Sequence, residues 1–259
     1  MSEKEKSNLE STRMPVLQHL EELRRRILVA ILAFIAGFGI CSYFSKDIFR
    51  IMLLPLVDVL GKRKIVFTAP PEGFITYLKV AVLGGFFIAS PIIFYELWKF
   101  VAPGLYKYEK KYVLLFVLSS SICFIMGAGF GYFVVFPFGF RFFITNFETE
   151  QITSMITMKE YLHFASQLLV AFGIVFELPV ILFFLGRIGL VTSKMLWKTS
   201  RYAIVIIAIV AAVLTPPDVL SMTAMGVPLT LLYFLSILIV HLTGKQRVKK
   251  EENEKPVNE

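Results

Sequence analysis

Apolar residues along this chain gather into long unbroken runs separated by shorter polar stretches. That blocked pattern differs from the alternation of half-buried strands and from the single stripe of a surface helix. Four runs, Ile27–Phe44, Val80–Trp98, Tyr112–Phe136 and Phe164–Leu185, are each long enough as a helix to cross a hydrocarbon layer about 30 Å thick. The fifth, Tyr202–Leu214, is about 20 Å long as a helix before Thr215-Pro216-Pro217-Asp218 breaks it. It reads as either a re-entrant segment or a short crossing in a thinned bilayer. The sixth run, Val219–Leu242, is long but contains Gly226 and Pro228. Ahead of the first run, Leu17, Leu20 and Leu23 repeat every three residues, which suits a surface-lying amphipathic helix or a continuation of the first span. Residues 1–13 and 244–259 read as disordered tails around a six-helix membrane domain over 14–243.

Charge decides between the two readings of the fifth run. With residue 1 in the cytosol and six crossings, 19 Lys and Arg fall in inside segments and 8 in outside segments. Such a bias favours six crossings with both ends inside. It also explains the net charge of +8 without nucleic acid, because no basic stripe is interleaved with aromatics on a soluble module. Hydrophobic residues make up 56% of the chain and charged residues 18%, below the quarter or so of a soluble domain. Arg24-Arg25-Arg26 before an apolar run resembles a secretory leader, but the run continues to Phe44 with no small-x-small site, so it reads as a retained span. Cys41 and Cys123 sit inside apolar runs, and His19, His163 and His241 lie far apart, so neither set has metal-ligand spacing. No nucleophile–base grouping, phosphate-cradling loop or cofactor motif is visible, which excludes the common enzyme classes.

Local signals mark helix ends. Thr157-Met158-Lys159-Glu160 fits a capping box, Asp218 can cap the sixth helix, and Pro70-Pro71-Glu72 suits a first turn before the second span. Four carboxylates stand out. Glu177 lies deep in the fourth run beside Pro179, where a charge costs about 2.5–3.5 kcal/mol on insertion scales and a bent helix is expected. Glu22 can pair with Arg26, and Glu21 with Arg25, at i,i+4 spacing. Glu109 sits among lysines in the second inside segment, and Glu96 near the end of the second run can reach the interface. From residues alone, a proton-coupled small-solute transporter using Glu177 stands as the alternative to a binding and scaffold role.

Six motifs carry a family resemblance. They are His19-Leu20-Glu21-Glu22-Leu23-Arg24, Phe67-Thr68-Ala69-Pro70-Pro71-Glu72-Gly73-Phe74, Ala102-Pro103-Gly104-Leu105-Tyr106 with Glu109, Tyr132 to Pro137, Phe172-Gly173 with Phe176 to Pro179, and Leu214 to Asp218. In that order and on that topology, the chain resembles TatC, the polytopic subunit of the twin-arginine protein translocase. The resemblance implies a bacterial inner-membrane protein with six helices in a glove-like concave wall, helices 5 and 6 being short. It implies recognition of twin-arginine signal peptides of folded proteins at the cytosolic face. Glu22 and Glu109 would meet the two guanidiniums, Arg24 would orient them, and Phe100 and Pro103 would shape the loop. A carboxylate accepts the guanidinium fork in pairs, whereas lysine offers only a point charge. Implied partners are single-span TatA and TatB subunits near helix 5 and the start of helix 6, and further copies of the chain in a multimeric receptor. Some relatives place a glutamine where this chain has Met222, so Thr215, Asp218, Ser221 and Thr223 are the polar candidates for that contact.

Overall fold

The computed structural model describes residues 3–60, 65–101, 113–147, 155–214 and 219–253, with side chains described for most of these between His19 and Leu242. They form helices α1 (Glu3–Tyr43), α2 (Ser45–Leu60), α3 (Glu72–Val101), α4 (Val113–Phe130), α5 (Phe136–Phe147), α6 (Met158–Val175), α7 (Leu178–Arg187), α8 (Ser193–Leu214) and α9 (Val219–Asn253). Six segments are long and apolar enough to cross a bilayer: His19–Tyr43, Glu72–Val101, Leu114–Phe142, Met158–Arg187, Ser193–Val213 and Met225–Leu242. The all-α, six-span reading therefore holds. The fifth and sixth are the shortest, at 21 and 18 residues.

Of the boundaries that differ from the apolar runs, two have a clear local reason. The fifth helix opens at Ser193, nine residues before Tyr202, because Lys194, Lys198 and Arg201 are tolerated in the first turns of a helix whose Thr192 Oγ1 accepts the Met195 amide at 3.3 Å. The third span continues past Pro137. One turn of π-helix, Gly131–Val135, precedes it, with the Phe136 amide bonded to the Gly131 carbonyl. That wider turn absorbs the proline, which in an α-helix would lose its own bond and press on the carbonyl four residues back.

The chain divides into two compact units. The first comprises Met1–Ile48 and Tyr77–Ser121. Here α1 and α3 meet backbone to backbone. A Cβ on Gly37 would lie 2.7 Å from the Gly85 carbonyl oxygen, and one on Gly85 would lie 2.6 Å from the Phe38 nitrogen. Only glycine permits that approach, the small-residue contact by which helices associate in lipid. Further along α3, Pro91 removes the amide that would bond the Phe87 carbonyl, and Ser90 Oγ donates to that carbonyl at 2.8 Å instead. Trp98 closes this unit by donating from Nε1 to Ser120 Oγ at 2.9 Å and stacking on Phe116.

The second unit comprises Phe49–Thr76 and Ile122–Glu259. Pro55 lies inside α2 and frees the Ile51 carbonyl, which Tyr132 Oη bonds at 2.6 Å, while Tyr161 Oη donates to the adjacent Met52 carbonyl. Tyr161 is buried with Phe136, Phe140 and Phe164 in an aromatic cluster. The expected cap is present, since Thr157 Oγ1 accepts the Glu160 amide at 3.2 Å. A parallel bridge joins Val66 to Thr157. Beside it, Glu72 accepts from the Thr68 amide at 2.7 Å, the Thr68 hydroxyl at 3.1 Å and the Lys159 amide at 2.9 Å, tying the α3 start to the α6 start. The fourth span breaks where Pro179 predicts: α6 ends at Val175, α7 begins at Leu178, and the Glu177 amide reaches back only to Ile174 at 3.1 Å. α9 runs along α7 and α8, with Val240 over Gly186 and Tyr233 Oη bonded to the Leu196 carbonyl at 2.9 Å.

Candidate functional site

The polar residues of the first unit converge where the first span begins and α3 ends. α1 is one continuous helix, so the motif around His19 continues the first span. Three residues of it, His19, Glu22 and Arg26, stack on one face at i,i+3 and i,i+4 spacing. From the opposite direction α3 delivers Glu96, Lys99 and Phe100. The meeting is a matter of arithmetic. Arg26 lies eleven residues before Gly37, and Glu96 lies eleven residues after Gly85. Eleven residues are about three turns, so both side chains return to the face on which the glycines touch.

Arg26 is the hub. Its Nη2 donates to Glu22 Oε1, and its Nη1 donates to Glu96 Oε2 at 3.1 Å. The Arg26 and Glu96 side chains are 12% and 14% exposed, whereas Glu22 is 36% exposed. One carboxylate of the trio therefore faces outward while its guanidinium partner sits inside. Arg26 Nε is buried with no hydrogen-bond partner among the described residues. On the other side of Glu22, His19 Nδ1 lies 3.9 Å from Oε2. The His19 ring stacks on Phe100 with centroids 4.4 Å apart and 16° between planes. Lys99 Nζ sits 5.2 Å above the Tyr95 ring. Two carboxylates, one internal guanidinium and a flat aromatic shelf thus share one patch, a setting suited to a guanidinium ligand.

Of the residues singled out from sequence, Glu22 and Phe100 lie in this patch. Arg24 is exposed, and among the described residues no ion pair involves it. Pro103 and Glu109 lie outside the described residues, as do Thr215 and Asp218. Ser221 falls within α9 with its side chain undescribed. Thr223 is exposed, donates to the Val219 carbonyl at 2.7 Å, and lines a groove of about 340 Å³ between α8 and α9 beside Met222, Ala208 and Gly226. Glu177 is buried at the α6–α7 break, where its carbonyl accepts the Ile181 amide at 2.9 Å. Sequence reasoning missed Glu96, His19 and the buried, backbone-bonded role of Glu72. A carboxylate inside the second apolar run needs a cation at the same depth, and Arg26 is the cation that the antiparallel first span offers. That signal was present and unused.

Known proteins agree with this architecture. The sequence model of the family described as Sec-independent protein translocase protein (TatC) matches residues 18–228. The Sec-independent protein translocase protein TatC of Desulforapulum autotrophicum is 46% identical over 94% of this chain and 90% of its own length. That of Aquifex aeolicus is 36% identical over 93% of this chain and 100% of its own. A crystal structure described as the twin-arginine translocase receptor TatC superposes with a TM-score of 0.79 at 36% identity, covering 87% of this chain and 99% of the other. This is a family of translocase components and not of catalysts, and it disfavours the small-solute transporter. By the extent of these matches, the chain is a multi-pass membrane protein that belongs to the TatC family of Sec-independent protein translocase proteins.

Proposed function

We propose that this chain is the receptor for twin-arginine signal peptides of folded export substrates, acting at the cytosolic face of the bacterial inner membrane with both termini in the cytosol. Supporting it above all is the Glu22–Arg26–Glu96 grouping. The chain's own guanidinium already occupies the site chemistry that a signal arginine requires, and Glu22 is its outward-facing carboxylate. An incoming arginine takes Glu22, while Glu96 keeps Arg26 compensated inside. That exchange leaves no buried charge without a partner, the condition that makes displacement inexpensive. The stacked His19 and Phe100 rings offer a face for a second guanidinium or an apolar signal residue. In sequence, Glu109 follows Phe100 by nine residues and precedes the start of α4 by four. It serves as the contact for the second arginine, with Pro103 shaping the turn and Arg24 orienting the carboxylates from the surface.

The charge asymmetry of 19 to 8 supports the cytosolic placement of this end. The rest of the molecule acts as scaffold. A concave helical wall accommodates the apolar signal segment, with Glu177 as its intramembrane polar point. Single-span TatA and TatB subunits dock on the α8–α9 groove at Thr223 and Met222, with Thr215, Asp218 and Ser221 as further contacts, and copies of the chain associate in a multimeric receptor. Cross-linking of a twin-arginine peptide to the full chain in membranes tests the site. Glu22→Ala and Glu109→Ala each lower the yield, the double substitution removes it, and membrane insertion stays intact. Undiminished cross-linking in the double variant would overturn the assignment.

A further inference from the structure

A second polar site lies in the other unit, where α8 begins and α9 leaves the membrane. A groove of about 530 Å³ opens there between the two helices. Its position is fixed by the spans: Ser193 opens the fifth and His241 is the penultimate residue of the sixth, so the groove meets the bilayer at an interface. Its lining is graded along that direction. Lys194 and Lys198 project from one face of α8 at i,i+4 spacing, with Trp197 between them. Ser193 Oγ and His241 Nδ1 are 3.3 Å apart at the polar mouth. One turn deeper, Leu238 and Ile237 form the α9 wall, and Phe234 meets the Trp197 ring at 5.7 Å. Among the described residues, no aspartate or glutamate lines the groove.

We infer that this groove is a binding site for an anionic phospholipid. Two exposed ammonium groups and a histidine–serine pair at the mouth complement a phosphodiester carrying net negative charge. Behind them the apolar slot accepts the upper part of an acyl chain, and an interfacial tryptophan marks the boundary between the two. Free phosphate has no use for the apolar floor, and a zwitterionic lipid brings no net charge to two lysines that have no acidic partner among the described residues. The volume falls in the range of sites that hold a single small ligand. The site shares Phe234 with the Thr223 groove but opens at the Ser193 and His241 ends of the two helices, where its occupant would hold α8 against α9.

Trp197 is 65% exposed, whereas Trp98, the protein's other tryptophan, is 6% exposed, which gives the site its own reporter. The full chain is reconstituted in phosphatidylcholine vesicles containing a minority of acyl-brominated phosphatidylglycerol or, in parallel, acyl-brominated phosphatidylcholine. The expected result is Trp197 quenching by the anionic lipid at about tenfold lower mole fraction than by the zwitterionic one. Lys194→Gln with Lys198→Gln removes that preference and leaves quenching by brominated phosphatidylcholine unchanged, which certifies an intact fold. Excess inorganic phosphate leaves the wild-type preference in place. Equal quenching by both lipids in the wild type would overturn the inference. So would a preference that survives the double substitution, or one abolished by inorganic phosphate.

Discussion

Two carboxylates at opposite ends of α3 show how differently a membrane protein can hold a negative charge. Glu72, at the first residue, is buried and accepts from three backbone amides and a hydroxyl, all fixed by the fold. Glu96, near the last turn, is also largely buried, but it is held by the side chain of Arg26, which it shares with the half-exposed Glu22. A carboxylate held by amides has no partner to give up, because exchanging one means unfolding a helix start. A carboxylate held by a guanidinium can trade that partner for another guanidinium with the same fork. The first arrangement builds structure and the second builds a receptor, although in sequence both are a lone Glu at the edge of an apolar run.

Substitution sharpens this contrast. Glu72→Ala leaves the Thr68 and Lys159 amides without their acceptor, and thermal unfolding of the purified chain should fall by roughly 5–10 °C. Glu72→Gln, which keeps one acceptor oxygen, should lose about half as much. At the other end, Glu22→Ala should weaken twin-arginine peptide binding about tenfold or more while moving the melting temperature by less than about 2 °C, since the residue is partly solvated. A stability loss equal to that of Glu72→Ala would erase the distinction. Glu96→Gln should weaken peptide binding by about threefold, because Arg26 then competes harder for Glu22, and Glu96→Asp should recover part of it. The smallest effect concerns a neutral counterpart of the same logic. Tyr132→Phe should cost about 1 kcal/mol by leaving the Ile51 carbonyl unbonded, and Pro55→Ala should cancel that cost in a double-mutant cycle by restoring the helical amide.

What could be read in advance follows the range of each interaction. Six spans were legible because lipid demands long apolar runs whatever the tertiary arrangement. The Thr157 cap, the break before Pro179 and the Glu22–Arg26 pair were legible because each is complete within four residues. Arg26–Glu96, His19–Phe100 and Glu72–Lys159 were not, since their partners lie 70 or more residues apart and no local rule pairs them. The Ser193 start of α8 was hidden for another reason. A polar helix start next to a membrane carries no apolar signal, so the run at Tyr202 marks where lipid begins and not where the helix does.

The glycine crossing of α1 on α3 makes spacing, rather than composition, the inherited quantity at the receptor patch. Adding one residue between Arg26 and Gly37 would swing the start of α1 by about 100° and lift it about 1.5 Å, turning His19, Glu22 and Arg26 away from α3 together. Side chains in that eleven-residue interval can drift freely among apolar types, since many of them face outward. Its length cannot change. Insertions and deletions should therefore be purged from both arms, so that the two intervals serve as a ruler that outlasts the letters written along it.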